Sequence, residues 1–270
     1  MSSKLEKFYD SWSEKTEVGL KHDITCGEEK ALRIITGLQL EQYNLKNVLD
    51  YGCGYGIALK TMQEHLKLGT SIGIDFSKQS IKFAKSNYVD PSLSFETLDE
   101  INLQKNILEI RQILNNANIQ KLDAILLIDL LEHVPRSTSL IKELSQFTKY
   151  FIIKLPVENS IFDNYIINKF YPGSNHPDGH VREFTANSVY HYIRSLGLTP
   201  LAESLYAYNI KESFPPLFGK QPLLTRIKYF ALKMFKLIFK CTLPTKIFLR
   251  TIGGGGYYCI AEFNEEYILE

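Results

Sequence analysis

The sequence predicts an α/β fold built on a doubly wound, mostly parallel sheet, and three observations predict it. Short apolar runs alternate five times with stretches of helical period between residues 47 and 155. One run, Asp123–Asp129, is apolar almost throughout, as a strand buried on both faces of a parallel sheet must be. The acids Asp50, Asp75, Asp99 and Asp129 each follow the end of an apolar run, where ligands sit in such sheets.

The elements follow in order. Residues 1–26 form a helical cap whose first part carries Phe8, Tyr9 and Trp12 among charges; it docks on the domain edge or lies over a ligand. Residues 27–43 read as a helix, because Ala31, Ile34, Ile35, Leu38 and Leu40 recur near its period. The first strand is Asn47–Asp50. It ends in Asp50-Tyr51-Gly52-Cys53-Gly54-Tyr55-Gly56, a tight turn, and a helix covers Ile57–Leu66. Glycine lets such a turn bring bare backbone against a ligand. The pattern is G-x-G-x-G rather than the G-x-G-x-x-G of dinucleotide sites. Asp50 beside it repels a pyrophosphate and suits a ligand carrying an ammonium group and a sulfonium.

Ser71–Asp75 is the second strand, and Phe76-Ser77 opens a helix over Lys78–Ser86. An acid at the end of the second strand is placed to accept from both hydroxyls of a ribose; the other role open to Asp75 is an N-cap. Leu93–Glu96 is a short third strand. Asp99, just after it, either meets an adenine amino group or is a solvated loop acid. A helix over 102–120, the Asp123–Asp129 strand, a helix over Ser137–Phe147 and a fifth strand over Tyr150–Leu155, stopped by Pro156, complete the alternation. Then the rhythm breaks. Asn159–Phe170 reads as a helix, 171–184 as a loop with His176 and His180, and Thr185 caps a helix that stops at Gly197. Leu201–Tyr208 and Tyr257–Phe263 read as a strand pair at one edge.

Residues 213–252 form an insertion between that pair. No acid occurs from Ser213 to Ala261, while Lys220, Arg226, Lys228, Lys233, Lys236, Lys240, Lys246 and Arg250 are all basic. Arg226, Lys233, Lys236 and Lys240 share one narrow helical face, and apolar side chains fill much of the rest. Such a helix over 223–241 lies on a membrane or a lipid-linked substrate, or packs as a lid or dimer helix; RNA is the third alternative.

Composition excludes several classes. Lys+Arg 31 against Asp+Glu 30 leaves no global charge for a nucleic-acid partner. The four cysteines are widely spaced, which reads as free thiols in a reducing compartment. The start of the chain lacks the apolar region of a signal peptide, and no apolar run is long enough to span a bilayer, so the expected location is cytoplasmic, with membrane association through the insertion as a variant.

Together, Val48–Gly56, Gly73-Ile74-Asp75-Phe76-Ser77, Asp129–Val134 and Gly179–Thr185 resemble the class I S-adenosylmethionine-dependent methyltransferases, over roughly residues 27–210 plus the last strand. The resemblance implies a Rossmann-like, seven-stranded sheet with a reversed last strand and a single domain across 1–270, its core at 27–210 and 253–265. It implies S-adenosylmethionine as cofactor, held by Asp50, Tyr51, Gly52, Gly54, Asp75, Phe76, Asp99, Asp129 and Leu130. Gly52 and Gly54 lie against its methionine part, with Asp129 and Leu130 lining that moiety.

Methyl transfer from a sulfonium is an in-line displacement, for which alignment supplies much of the acceleration. A hydroxyl acceptor also needs a base; His133 and His180 are the candidates, with His176 third, and Glu132 joins the two first histidines in the catalytic set. The other role open to each histidine is to tether a loop. Asp129-x-x-Glu132-His133 with His180 also resembles the E-x-x-E-H…H metal set of small-RNA 2′-O-methyltransferases and the E-x-x-E-H run of some quinone O-methyltransferases. Asp129 replaces the first Glu and reaches one methylene less. No residue is assigned to a metal, and a divalent ion is the alternative. The expected reaction is O-methylation of a small or lipid-linked metabolite: a sugar, glycolipid or quinone precursor. The competing functions are a catalytically inactive S-adenosylmethionine-binding protein and a membrane-surface scaffold.

Overall fold

The computed structural model describes residues 17–98, 102–162, 180–209, 212 and 223–265. Its centre is a seven-stranded sheet in the order β3-β2-β1-β4-β5-β7-β6. The strands are β1 (Asn47–Tyr51), β2 (Thr70–Asp75), β3 (Leu93–Thr97), β4 (Leu122–Ile128), β5 (Thr148–Val157), β6 (Leu198–Ala207) and β7 (Gly255–Phe263). The ladders from β3 through β5 are parallel, and β7 runs antiparallel to both β5 and β6. The sheet is therefore mixed, with β7 the reversed strand.

The helices are α1 (Glu17–Leu38), α2 (Ile57–Leu66), α3 (Lys78–Asn87), α4 (Leu103–Asn116), α5 (Ser137–Ser145), α6 (Ser188–Ser195), α7 (Leu223–Thr242) and α8 (Thr245–Thr251). Alternate strand residues feed two cores, because successive side chains point to opposite faces. Leu49, Ile125, Leu127, Phe151 and Ile153 pack with α4, α5 and α6, whereas Val48, Ala124, Leu126 and Ile152 pack with α1, α2 and α3. Burial on both faces explains the continuous apolar runs of the parallel strands. The chain winds outward from β1 to β3, then returns and winds the other way through β4 and β5. The crevice at that reversal, between β1 and β4, is where the site forms.

Local signals account for most boundaries. Ser77 Oγ accepts from the backbone N–H of Ser80 at 3.2 Å and starts α3, and Asn102 does the same for α4. Thr185 Oγ1 accepts from Ser188 N at 2.9 Å and opens α6. The expected helix over 102–120 ends earlier, at Asn116. Asn118 takes a left-handed conformation and Ile119 N bonds back to Leu114 O, which closes the turn.

Two expectations change. The helix expected from residue 27 runs unbroken from Glu17, so the boundary drawn between cap and core at 26–27 lies inside α1. Gly27 does not stop it; a Cβ there would meet Ile57 Cγ2 at 2.8 Å, so glycine is what lets α1 approach α2. Pro156 does not end β5. The β4 ladder finishes at the Ile128–Lys154 pair, so no β4 neighbour needs the N–H that proline lacks. The helix expected over Asn159–Phe170, the loop with His176, and Phe8, Tyr9 and Trp12 lie largely or wholly outside the described residues.

Candidate active site at the carboxyl ends of the strands

A cavity of about 510 Å³ opens at the ends of β1, β2 and β4, within the range of small-molecule sites. One wall comes from the glycine turn. Gly54 has φ +51, and a Cβ placed on it meets nothing within 4 Å, so the turn presents open backbone to the cavity. Its N–H donates to Asp75 Oδ2 at 2.8 Å, and Ser77 N donates to Asp75 Oδ1 at 2.8 Å. The Asp75 carboxylate is thus fixed by backbone on both oxygens. Burial still holds its pKa above the ordinary value, against the pull of those N–H donors. Asp50 is 2% exposed, and its Oδ1 has no hydrogen-bond partner among the described residues. Burial, then the charge of Asp75, pushes its pKa up to about 8. Among the described residues no ion pair reaches either acid.

Gly52, Phe76 and Leu130 also line the cavity. Tyr51 does not: its hydroxyl meets Asn106 Nδ2 at 3.5 Å, and the ring packs on the α4 side of the sheet. The alternation that turns Asp50 into the cavity turns Tyr51 the other way.

The opposite wall is organised by Asp129, which follows β4 in a left-handed conformation. Lys154 from β5 bonds one of its oxygens and Lys30 from α1 the other. Burial alone would raise the Asp129 pKa, but the two ammonium groups outweigh it and hold the carboxyl well below the usual range. Lys154 is almost fully buried. Burial opposes its charge, yet Asp129 keeps its pKa well above the ordinary lysine value. Its Nζ also donates to the Tyr208 hydroxyl at 3.2 Å. The α1 side is pinned by Arg33 on Glu212 at 2.9 Å and by Asn209 Nδ2 on Glu29 at 2.5 Å.

Beyond Asp129 lie the catalytic candidates. Glu132 is 0% exposed, and among the described residues neither carboxylate oxygen has a hydrogen-bond partner. Burial, then the charge of Asp129, pushes its pKa up to about 8. The His133 and His180 rings meet edge to face with centroids 4.8 Å apart. His180 Nδ1 lies 3.3 Å from Glu158 Oε2. Residues 47 positions apart in the chain are brought together by a clamp. Val181 N and Arg182 N donate to Glu132 O at 2.9 and 3.2 Å, and the Arg182 guanidinium donates to the carbonyls of Val134 and Pro135.

Glu132, His133 and His180 each offer a ligand atom, all within 4.8 Å of one another, and among the described residues this is the group able to hold a metal ion. Asp129 is not in it, because its oxygens are taken by the two lysines. Asp99 and His176 lie outside the described residues. Lys30, Lys154, Tyr208, Glu158 and Arg182 all belong to the site or its support and were missed from sequence. One signal was available for Lys154, a lysine between Ile153 and Leu155 in an otherwise apolar strand.

A family model described as "Methyltransferase domain" matches residues 26–203. A ubiquinone biosynthesis O-methyltransferase from Coxiella burnetii is 32% identical over 130 residues, 46% of this chain and 50% of that one. A protein of the same description from Haemophilus ducreyi is 30% identical over 105 residues, 38% and 41% of the two chains. The chain thus spans about half the length, or less, of the curated relatives it matches. Among solved structures, a SAM-dependent methyltransferase from Anabaena variabilis superposes with a TM-score of 0.55 at 13% identity, covering 96% and 93% of the chains. Magnesium protoporphyrin IX methyltransferase from Synechocystis, with bound SAH, gives 0.54 at 12% identity, covering 96% and 94%. These structural likenesses speak for the fold.

Proposed function

The chain belongs to the methyltransferase-domain family, and from that premise we propose that it moves a methyl group from S-adenosylmethionine to a hydroxyl oxygen of a small or lipid-linked metabolite. The observation that carries the oxygen chemistry is Glu132. A fully buried carboxylate with two unpartnered oxygens faces two imidazoles, in the same cavity as the open Gly54 turn. The curated relatives, O-methyltransferases of ubiquinone biosynthesis, favour a quinone precursor over a sugar or glycolipid.

The residues present fit the donor. The space over Gly54 accepts a group that a Cβ would exclude, and two acids without a cation suit a ligand that brings its own positive charge and hydroxyl donors. Gly52 and Gly54 would carry the methionine part, with Asp50 close to its cationic groups and Asp75 accepting from the ribose diol. Leu130 closes the methionine side. When bound, S-adenosylmethionine supplies an electrophilic methyl on a sulfonium.

The protein's part is alignment and proton removal. Glu158 Oε2 lies 3.3 Å from Nδ1 of His180, close enough for its charge to favour proton transfer from the acceptor hydroxyl to that imidazole. Glu158 then stabilises the imidazolium. Glu132 and His133 complete the acceptor wall. The same cluster favours a second reading, in which Glu132, His133 and His180 hold a divalent ion that acidifies the hydroxyl as a Lewis acid.

The test is calorimetric titration with S-adenosylhomocysteine, followed by methyl transfer to hydroxylated quinone precursors with and without EDTA. Saturable binding and EDTA-insensitive turnover are expected. His180→Ala should lower turnover by about 100-fold or more while leaving cofactor affinity unchanged. Loss of turnover in EDTA, restored by a divalent ion, would transfer the role to the metal. Binding without transfer to any hydroxyl acceptor would leave a cofactor-binding protein without the activity, and absence of binding would end the reading.

A further inference from the structure

The insertion helix α7 is turned against the usual order of a soluble protein. Leu223, Ile227, Phe230, Met234 and Ile238 recur every three or four residues and form one stripe along its length. That stripe faces outward: Leu223 is 72% exposed, Phe230 63% and Ile238 56%. The inward side is settled by contacts. Phe235 stacks on Phe162 with centroids 5.4 Å apart, Phe235 and Phe239 pack on the α4-side core, and Lys240 Nζ donates to Tyr208 O at 2.6 Å. Helices of soluble proteins bury the apolar stripe and expose the charges, so this face calls for an apolar partner.

Charge identifies the partner. Arg226 and Lys233 border one side of the stripe on the helical wheel, Lys228 is exposed near the start of the helix, and α8 adds an exposed Ile247 with Lys246 and Arg250. No acid lies anywhere from Ser213 to Ala261. A wide apolar face edged by cations, with no acid to repel phosphate, matches a bilayer interface carrying anionic headgroups. Among the described residues no helix is long and apolar enough to cross a membrane, so the mode is lying on the surface.

We propose that α7 seats the protein on an anionic lipid bilayer, with its apolar stripe among the acyl chains and its flanking cations on the headgroups. Through Lys240 the helix touches Tyr208, a residue of the cavity wall. The seat therefore brings the cavity close to the membrane surface. That an acceptor enters from the bilayer rests on the methyltransferase reading above; the seat itself does not.

The experiment is flotation of the full chain with phosphatidylcholine–phosphatidylglycerol vesicles, against pure phosphatidylcholine, with S-adenosylhomocysteine calorimetry on the same samples. The chain should float with the anionic vesicles and be released by high salt. Phe230→Ser/Ile238→Ser should cut the bound fraction by about tenfold or more, because two exposed anchors are lost. Arg226→Glu/Lys228→Glu should also weaken it, and both variants should keep wild-type cofactor affinity. Flotation that ignores both pairs of substitutions, or no flotation on anionic vesicles, would overturn the proposal. So would a dimer in size-exclusion chromatography that Phe230→Ser/Ile238→Ser splits, or equal retention by a soluble RNA oligonucleotide. Flotation without cofactor binding would defeat the donor reading and leave the seat standing.

Discussion

On the glycine-turn wall of the cavity, Asp50 and Asp75 have no cation beside them among the described residues; on the opposite wall, Asp129 is held between Lys30 and Lys154. The two walls have similar acids and opposite balances. Asp129 is satisfied by the protein itself and belongs to its stability. Burial raises the pKa of Asp50 and Asp75 with no lysine or arginine among the described residues to offset it, and so they belong to binding. The difference separates what the fold completes alone from what it leaves for a ligand.

The largest expected effect attacks the completed wall. Asp129→Ala strands the buried Lys154 ammonium and should cost about 3–5 kcal/mol of folding stability by urea unfolding. Asp129→Ala/Lys154→Met should recover more than half of that. A loss below about 1 kcal/mol for the single variant would mean that the pair is screened and the contrast between walls is false.

The next effect belongs to the incomplete wall. Asp75→Ala should weaken S-adenosylhomocysteine binding at least about tenfold, or about 1.4 kcal/mol, as expected for losing a charged acceptor. Unchanged affinity by calorimetry would remove Asp75 from the ribose.

A further effect is in pH. Glu132 has a folded pKa pushed up to about 8, above its ordinary carboxyl value. Between those two values the native state keeps a proton that the unfolded chain has released, so stability falls as pH rises. The fall has a slope of up to about 1.4 kcal/mol per pH unit. Glu132→Gln removes that part of the slope, leaving the similar contribution of Asp50. Unfolding curves at pH 5.5 and 7.5 should therefore lie closer together in the variant, by about that amount per unit. Equal separations in the two proteins would show that Glu132 is ionised in the native state.

The regions that could be read from sequence are those where local pattern decides. Strand and helix from Asn47 to Ser145 fall within a few residues of expectation, because parallel strands buried on both faces and capped helices announce themselves. Asp50, Gly52, Gly54, Asp75 and Asp129 come to one cavity for a topological reason: each lies at or just after the end of a strand that faces the same crevice. Lys30, Lys154 and Arg182 could not be read so easily, because their partners are remote in the chain and charge pairing across a fold leaves no periodic trace. Pro156 misled because proline stops a central strand, and at that point β5 has outrun β4. For α7, the wheel showed two faces but not which one docks; that depended on Phe162 and Tyr208 being present to receive it.

The clamp made by Arg182 has a consequence for redesign. It ties 131–135 to 180–184 through carbonyls rather than side chains, so the two stretches behave as one exchangeable cassette that is indifferent to most sequence changes in the first of them. A graft that imports a foreign acceptor loop must bring both halves, or retain the arginine, to keep His180 in register with His133. The donor half, built on β1 and β2, can be left untouched in such a swap.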